Sequence, residues 1–241
     1  TDQRVALYDS FVSGDIRTAD ATTAEFVKLI QNAYRDTNIA FANEVAKLAH
    51  EFGIDSREAI SMANEHPRVE ILRPGPGVGG HCIPIDPLFL NHGNDIPMLI
   101  ETARRVNDEM PEFVVELLSA ALDDLEGARV ALLGVAYKGG VSDVRETPSF
   151  AIAEEMSERG VDELRLTDPY VDSDDAEYEL SSLDESLDEV DAAVLVTDHP
   201  EYGALSPQTF ADRMSGDVIV DTRAMLDMDR WEAAGFDVYQ V

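Results

Sequence analysis

The sequence predicts an α/β protein in which an all-helical first half is followed by a module built on a parallel β-sheet. Up to about residue 125, apolar residues recur three or four positions apart, as on one face of a helix. From Gly127 onward, short apolar runs alternate with helical segments, a pattern typical of βαβ units. A chain of 241 residues can form two cores. We therefore place the boundary at Gly127, with one module over 21–126 and the other over 127–241.

The first module is expected to be all helical, with a Pro/Gly-rich loop over residues 73–80. The predicted helices cover residues 22–52, 56–64 and 96–125. Thr22 or Thr23 would cap the first of them and Gly53 would end it, while Ser56 would cap the second. Pro111 should kink the third helix, because proline lacks a backbone N–H group and crowds the preceding turn.

The second module is expected to be a Rossmann-like parallel sheet. Its predicted strands cover residues 130–135, 163–167, 192–197, 218–221 and 236–239, and a helix covers 148–158. Ligands of such sheets bind beyond the carboxyl ends of the strands. The expected site loops are therefore residues 136–140, 168–170, 198–199 and 222–223. The turn over 134–140 lacks the glycine spacing of a dinucleotide-binding fingerprint, so this sheet alone is not expected to hold a dinucleotide.

The charge balance is strongly acidic, with 49 Asp and Glu residues against 18 Lys and Arg residues and a net charge of −31. Such a field repels nucleic acids and anionic membranes, so neither is expected as a partner. The acidic residues are scattered along the chain, as on the solvated surface of a halophilic protein. A basic residue retained against this bias is a candidate contact for a specific anion.

Neither the apolar stretches nor the first residues of the sequence suggest a membrane or secreted protein. No apolar stretch approaches the roughly 20 residues that a membrane-spanning helix needs. The first ten residues lack the basic start, apolar centre and small-residue cleavage site of a secretory signal. A cytoplasmic location is therefore expected.

The segment PGPGVGGHCIPIDP, residues 74–87, carries the pattern most suggestive of chemistry. Its glycines allow the backbone to approach a ligand closely. Cys82 is the single cysteine, which excludes an intrachain disulfide and a zinc site built from cysteine pairs. We expect Cys82 near a helix N-terminus, which would favour the nucleophilic thiolate, with Asp86 on the same helical face. The alternative, a buried cysteine after a glycine-rich turn, stays open at this point.

Several segments resemble the UDP-glucose/GDP-mannose dehydrogenase family, in family order and across essentially the whole chain. GGHCIPIDP, residues 79–87, resembles its active-site signature, and EFVKLIQNAY, residues 25–34, resembles its central-helix motif. GVAYK at 134–138 with DVRETPS at 143–149 resembles the opening of its nucleotide-sugar domain. DTR at 221–223 resembles the segment with its late substrate-binding arginine.

The resemblance implies an architecture and partners. The helical module would be the central dimerisation domain, and the sheet module would bind the UDP-sugar substrate. Residues 1–20 would be the remnant of a linker after an N-terminal NAD domain that this chain lacks. The implied cofactor is NAD, and the implied assembly is a homodimer formed through the helical domain.

The resemblance also implies a mechanism. The C6 alcohol of the sugar would give a hydride to NAD, and Cys82 would capture the aldehyde as a thiohemiacetal. A second hydride transfer would leave a thioester, which water would hydrolyse to the acid. Lys28 would stabilise oxyanion character, Asn32 would position a water or a sugar oxygen, and Asp86 would tune proton transfer.

The remaining implied contacts concern the substrate. Gly79 would approach it closely, Lys138 and Arg223 would bind the diphosphate and ribose, and Tyr137 would flank the base. Arg68 would reach into the sugar site of the neighbouring subunit.

One basic residue is implied to contact the cofactor, and the histidines are given no ligand role. Arg145 would contact the cofactor held by the missing domain. His81 and His199 are expected to be polar loop residues, and no metal is predicted.

Three questions stay open from the sequence. HPRV at 66–69 and the form of residues 77–82 favour UDP-N-acetylmannosamine as substrate, with UDP-N-acetylglucosamine and UDP-glucose as alternatives. This chain alone could instead be a UDP-sugar-binding and dimerisation module without turnover. A third interpretation is a thiol hydrolase that pairs Cys82 with His81 or His199.

Overall fold

A computed structural model describes residues 2–93, 96 and 98–241. It has helices up to residue 122 and a five-stranded parallel sheet with helices after it, which confirms the predicted fold class. The helices are α1 (Asp2–Asp9), α2 (Ala21–Phe52), α3 (Ser56–Ala63), α4 (Asp86–Asn91), α5 (Met98–Asp108), α6 (Met110–Leu122), α7 (Pro148–Glu158), α8 (Leu183–Leu187), α9 (Pro200–Gly203), α10 (Pro207–Ala211) and α11 (Met228–Glu232). No helix in these described ranges is both long and apolar enough to span a bilayer.

Aspartates cap the first two predicted helices, so the predicted caps are wrong. Asp20 caps α2 by accepting a hydrogen bond from the backbone amide of Thr23, which therefore lies inside the first turn. Asp55 caps α3 by accepting from two amides of its first turn, and Ser56 is the first helical residue. In both cases a carboxylate just before the predicted cap offers a charged acceptor to the free N–H groups. Gly53 ends α2 in the left-handed conformation, as predicted.

The third predicted helix is wrong as a single kinked element, because two helices, α5 and α6, replace it. The break falls at Glu109, and Pro111 lies in the first turn of α6, where its missing N–H group costs no intrahelical hydrogen bond. Asp123, with a φ of 64°, ends α6 three residues before the predicted end. Residue 97 of the predicted helix lies outside the described residues.

The sheet has the strand order β2-β1-β3-β4-β5, with every pair parallel. Its strands are β1 (Arg129–Leu133), β2 (Glu163–Thr167), β3 (Ala192–Leu195), β4 (Val218–Asp221) and β5 (Asp237–Gln240). β1 and β3 end two residues earlier than predicted, and β5 begins one residue later. Leu133 is in register with Leu195, and Leu195 with Asp221, so the loops after β1, β3 and β4 leave the same edge of the sheet.

Helix α6 packs on the sheet although the sequence assigns it to the helical module. Val114 and Leu118 of α6 are fully buried in one cluster with Leu132, Val194 and Val220 of the strands. The predicted boundary at Gly127 stays a prediction, but the core of the sheet module begins with α6. This packing fixes α5, which ends just before α6, close to the edge of the sheet where the site loops lie.

Candidate functional site

A cavity of ≈420 Å³ opens between α2, the glycine-rich loop and the loop after β1. The predicted site residues that line it are Lys28, Asn32, Gly79, Cys82, Tyr137, Lys138, Arg145 and Arg223. These residues lie far apart in sequence, from Lys28 in the helical module to Arg223 in the sheet module. The fold therefore brings together residues from both modules. Asp86 reaches the cavity wall through a hydrogen bond to Asn32, and Arg68 lies elsewhere.

Lys28, Asn32 and Asp86 form a hydrogen-bonded chain at the cavity wall. The Lys28 ammonium donates to Oδ1 of Asn32 at 3.1 Å, and Nδ2 of Asn32 donates to Oδ2 of Asp86 at 2.5 Å. Residues four apart on α2 share one face, which is how Lys28 and Asn32 meet. Asn32 is only 4% exposed, so its amide is held between the cation and the carboxylate. These hydrogen bonds allow the Lys28 ammonium, held by Asn32, to be presented to a reacting oxygen.

Cys82 is exposed and lines the same cavity, so the alternative of a buried cysteine is wrong. The predicted position at a helix N-terminus is also wrong, because α4 begins at Asp86 and residues 83–85 form a turn. Pro84 disfavours the helical conformation for Ile83, which delays the start of the helix. Asp86 therefore shares no helical face with Cys82, although its amide donates to the Cys82 carbonyl at 2.8 Å.

The glycine-rich loop is locked against the loop that follows β1. A Cβ atom at Gly79 would lie 2.5 Å from the Glu146 carbonyl oxygen and 2.8 Å from Cβ of Tyr137. Gly80 has a φ of 91°, lies against the Tyr137 ring, and donates its N–H to the Arg145 carbonyl at 2.9 Å. Only glycine fits at these two positions. Tyr137 packs beneath the loop while still lining the cavity.

Arg145 lines the cavity but is engaged by Asp143. Its Nε and one terminal nitrogen, Nη2, donate to the carboxylate oxygens of Asp143. These hydrogen bonds lower the pKa of Asp143 to about 2. A ligand that binds Arg145 would therefore have to share it with this carboxylate or displace it.

Arg223 and Arg57 join the sheet edge to the helical module. Arg223 Nε donates to the Val196 carbonyl at 2.9 Å, and burial lowers the pKa of its guanidinium. Arg57 donates to the carbonyls of Pro74, Thr222 and Val241, and burial lowers its pKa as well. Neither guanidinium group forms a direct ion pair with an Asp or Glu side chain, although Asp221 lies near enough to both to act on them electrostatically.

The cations that lack an acidic partner gather at this site. Half of the 18 Lys and Arg residues form ion pairs within the described part of the chain. Six of the other nine line the cavity or an adjoining one of ≈470 Å³: Lys28, Arg35, Arg57, Arg73, Lys138 and Arg223. In a chain with a net charge of −31, such a concentration of unpaired positive charge fits an anionic ligand with several charges.

Three of these six cations, Arg35, Arg57 and Arg73, were not predicted as site residues. The scarcity of basic residues was the available signal, since it makes each of them a candidate anion contact. Their spacing carries no motif, and their convergence depends on how the two modules pack.

The loops after β2 and β3, predicted as site loops, do not line the cavity, and this expectation is wrong. The Asp168 carboxylate accepts hydrogen bonds from the backbone amides of Val135, Ala136, Tyr170 and Val171. His199 Nε2 lies 2.9 Å from Asp168 Oδ2, and both side chains are fully buried. Burial raises the pKa of Asp168, but these hydrogen bonds outweigh it, so the pKa lies below its ordinary value.

His199 lies in the loop between β3 and α9, as expected of a polar loop residue, and is buried there in a structural contact. The Gly140 amide donates to its Nδ1, so Nδ1 is unprotonated and Nε2 carries the hydrogen that faces Asp168. A side chain in this position cannot act as a base for Cys82, which removes one form of the thiol-hydrolase interpretation. Among the described residues, no group of three or more His, Cys, Asp and Glu could hold a metal ion.

Arg68 lies in a separate cavity of ≈430 Å³ on the outer side of α2 and α5. It is exposed and shares this cavity with apolar residues such as Tyr34, Phe41 and Leu99, which are themselves 61%, 52% and 70% exposed. It makes no contribution to the cavity that Cys82 lines in the same chain. Its predicted role in a neighbouring subunit stays a prediction.

Comparisons with known proteins cover nearly the whole chain. The family model for the central domain of the UDP-glucose/GDP-mannose dehydrogenase family matches residues 22–109. The model for the UDP binding domain of the same family matches residues 131–228. The cavity lies where these two matched regions meet.

Individual relatives carry different sugar names. The UDP-N-acetyl-D-mannosamine dehydrogenase of Methanocaldococcus jannaschii is 45% identical over 236 residues, which are 97% of this chain and 54% of that relative. A UDP-D-ManNAc dehydrogenase structure from Pyrococcus horikoshii superposes with a TM-score of 0.88 at 40% identity, covering 100% of this chain and 56% of that one. An NDP-N-acetyl-D-galactosaminuronic acid dehydrogenase structure from Methanosarcina mazei Go1 has the same TM-score of 0.88 at 29% identity, with 100% and 55% covered. The chain thus spans about half the length of the relatives it matches.

Proposed function

Because the chain belongs to the UDP-glucose/GDP-mannose dehydrogenase family, we propose that it is the thiol-bearing and UDP-sugar-binding part of an NAD-dependent UDP-sugar 6-dehydrogenase. The observation that carries this proposal is the cavity in which an exposed cysteine lies among five cations without an ion-pair partner, with a sixth, Arg57, in the adjoining cavity. A UDP-sugar needs both features: positive charge for its diphosphate and a nucleophile near its reacting carbon.

The diphosphate is assigned to the cations of the sheet edge and the glycine-rich loop. Arg223 and Lys138 follow β4 and β1, Arg73 begins the loop, and all three line the same cavity. Guanidinium groups bind phosphate oxygens in a fork geometry, and each charge-assisted hydrogen bond contributes more than a neutral one. Tyr137 offers a ring edge to the uracil or ribose beside Lys138, whose ammonium lies 5.7 Å from the centre of that ring.

The oxidation is assigned to Cys82 and to the hydrogen-bonded residues Lys28, Asn32 and Asp86. NAD, when bound, would accept the hydride in each of the two oxidations at C6. The Cys82 thiolate would add to the C6 aldehyde and form a thiohemiacetal, whose oxygen is stabilised by the Lys28 ammonium. After the second oxidation, water would attack the resulting thioester and release the carboxylate and the free thiol. Asn32 would hold Lys28 and the water in place, with its own amide oriented by Asp86.

The described residues do not build a dinucleotide site for NAD. In a Rossmann sheet an acidic residue near the end of the second strand binds the ribose, and here Asp168 in that region is fully occupied by protein donors. Arg145 is the one residue of this chain assigned to the cofactor. We therefore assign NAD to the part of the longer relatives that this chain does not cover.

UDP-N-acetylmannosamine is the proposed substrate, and it is supported by the names of the relatives with 40–45% identity. UDP-N-acetylglucosamine and UDP-glucose remain the alternatives. Another similar structure is named for N-acetyl-D-galactosaminuronic acid, which is a further reason to compare several sugars. Epimers at C2 differ by a few contacts worth about 1–3 kcal/mol, which a shared fold does not determine.

A second candidate function is that this chain alone binds UDP-sugars and dimerises without turnover. The burial of Asp168 favours this candidate, because its carboxylate is then unavailable to the ribose of NAD. The described residues alone would therefore not bind the hydride acceptor. The exposed apolar residues of α2 would supply the dimer surface, with Arg68 beside them.

Two measurements test the proposal. Calorimetry with UDP on this chain should detect binding, and a version extended to the full length of its relatives should form two NADH per sugar. UDP-N-acetylmannosamine, UDP-N-acetylglucosamine and UDP-glucose would be compared in that assay at high salt. Cys82→Ser should prevent acid formation while UDP affinity stays within about twofold, since the thiol acts on C6 and not on the nucleotide. Steady formation of acid by this variant would refute the role of the thiol.

A further inference from the structure

One face of α2 carries a stripe of polar residues that runs from the cavity into the protein interior. Lys28, Asn32, Asp36 and Asn43 are spaced by four, four and seven residues, which places them on the same side of a helix. The last three are 4%, 1% and 0% exposed. Buried polar groups in such numbers are costly unless each has a defined partner.

The stripe holds both ends of the segment that carries Cys82. At the start of the segment, Oδ1 of Asn43 accepts the Gly75 backbone N–H at 2.9 Å. At its end, Nδ2 of Asn32 donates to Asp86 at 2.5 Å. Residues 75–86 are therefore attached at both ends to one rigid helix, with Cys82 between the two attachments.

The orientation of the Asn43 amide is fixed by a buried network. Its Nδ2 donates to Oδ1 of Asn107 at 2.9 Å, and Nδ2 of Asn107 donates to the backbone oxygen and Oδ1 of Asp36 at 3.0 and 2.8 Å. Arg104 donates to the same carboxylate at 2.5 Å. Each amide nitrogen faces an acceptor, so Oδ1 of Asn43 has to face Gly75.

The entry to the segment is also close to the substrate-binding cations. A Cβ atom at Gly75 would lie 2.9 Å from a terminal nitrogen of Arg223. A Cβ atom at Gly77 would lie 3.2 Å from the Asn107 carbonyl oxygen. Little space exists for this part of the loop to move without disturbing α5 or the sheet edge.

We propose that Asn43 is a positioning residue for the dehydrogenation, because it fixes the entry of the Cys82 loop through the Gly75 N–H group. The inference rests on the proposed function. Asn43 lies outside the cavity lining, and its side-chain hydrogen bonds reach that lining only at Gly75. Its effect on the reaction passes through the loop alone.

The first experiment measures amide exchange in this chain by NMR. Asn43→Ala should speed the exchange of the Gly75 amide by about tenfold or more, because its one acceptor is lost. Asn43→Ser keeps a shorter acceptor, should fold more readily, and should give an intermediate rate. Asn38→Ala is the matched control, since Asn38 also lies on α2 and accepts a loop amide, that of Leu72, at 3.0 Å. It should leave the Gly75 rate unchanged.

The second experiment measures turnover in the enzyme extended to the length of its relatives. Asn43→Ala should lower kcat by about 10- to 100-fold, because small misplacements of a nucleophile have effects of that size. KM for the UDP-sugar should stay within about threefold, and Asn43→Ser should recover part of kcat. Asn38→Ala, measured below the melting temperature of every variant, should retain the wild-type kcat.

The outcomes separate this inference from the proposed function. An unchanged Gly75 exchange rate in Asn43→Ala, or a kcat within twofold of the wild type, overturns the role of Asn43 while the enzyme assignment stands. An equal loss of kcat in Asn38→Ala also overturns it, because the effect would then be general loosening. Absence of NADH formation by the extended wild type overturns the proposed function, and the positioning role falls with it, whatever the exchange rates are.

Discussion

Two regions at the carboxyl edge of the same sheet use their polar residues in opposite ways. Beyond β1 and β4, Lys138 and Arg223 lack acidic partners and face a cavity. Beyond β2 and β3, Asp168 and His199 bind each other and five backbone amides, and their side chains are fully buried. The first region can bind a ligand because its hydrogen-bonding capacity is free. The second region cannot, because its capacity is used by the protein.

The comparison modifies a general rule for parallel sheets. Ligands usually bind where the strand order reverses, which for the order β2-β1-β3-β4-β5 is the crevice between β1 and β3. Here that crevice is closed: Gly139 lies against the Asp198 carbonyl, too close for any side chain, and Gly140 donates to His199. The site is displaced toward β4 and the helical module, where Arg57 links Pro74 to Thr222.

The largest expected effect on stability comes from disrupting the buried region around Asp168 and His199. Asp168→Asn would place an amide NH₂ group against backbone donors and leave buried His199 without its acceptor. We expect a loss of about 3–5 kcal/mol in the free energy of unfolding, as when one partner of a buried pair is removed. Urea unfolding measures this, and UDP affinity of the folded variant should be unchanged. Asp184→Asn is the control, since its ion pair with Arg213 is exposed and worth at most about 1 kcal/mol. Equal losses in both variants would contradict the comparison.

In the cavity region that contains Lys138 and Arg223, the main expected effect of a substitution is a loss of UDP affinity. Arg223→Met removes a cavity cation while keeping its apolar length, so UDP affinity should fall by about 10- to 100-fold, corresponding to one or two charge-assisted hydrogen bonds. Calorimetry with UDP measures the affinity, and thermal unfolding should reveal a loss of about 1–3 kcal/mol from the missing hydrogen bond to the Val196 carbonyl. Arg213→Met, which removes a guanidinium from the exposed pair, should leave UDP affinity unaltered. A similar loss of affinity in this control would mean that net charge, and not the site, determines binding.

A smaller effect is expected from pH. The pKa of Asp168 lies below its ordinary value of 3.8 in the folded protein, so the unfolded chain binds this proton more readily. The stabilisation is therefore complete above pH 3.8 and is lost as the pH falls through the lower folded pKa. Urea unfolding of the wild type and Asp168→Asn between pH 7 and pH 3 should give a stability difference that narrows toward the acidic end. A stability difference that widens on acidification would contradict the assigned sign.

The sequence predicted the elements better than the surfaces where they meet. The spacing of four placed Lys28 and Asn32 on one helical face, and the family resemblance of the segments around them and around Cys82 led to the expectation of one site. All five strands were found within two residues of their bounds, because buried parallel strands are short apolar runs. The caps were wrong, since Asp20 and Asp55 compete with the nearby hydroxyl residues and local propensity does not decide between them.

What the sequence could not provide depends on packing between distant segments. The loops that carry Asp168 and His199 were predicted as site loops, because ligands bind beyond strand ends, and the mutual burial of these two side chains makes them structural. Arg57 contacts carbonyls of residues 74, 222 and 241, a set that no local pattern links. Asn43 is an ordinary helical residue until Gly75 lies against it. In each case the role follows from which backbone groups need a partner.

The smallest effect is expected from salt, which should change both the stability of the protein and its affinity for UDP. Raising the ionic strength from 0.1 to 1 M shortens the Debye length from about 10 to 3 Å, which weakens repulsion among the 49 acidic residues. The melting temperature should therefore rise, while UDP affinity should fall because the same ions screen the cavity cations. Melting curves and UDP titrations in KCl would measure both trends. Asp168→Asn should keep the salt dependence of stability, since that pair is buried, and Arg223→Met should have a shallower salt dependence of UDP binding. If both variants kept both slopes, the cavity charge would not be what draws the nucleotide.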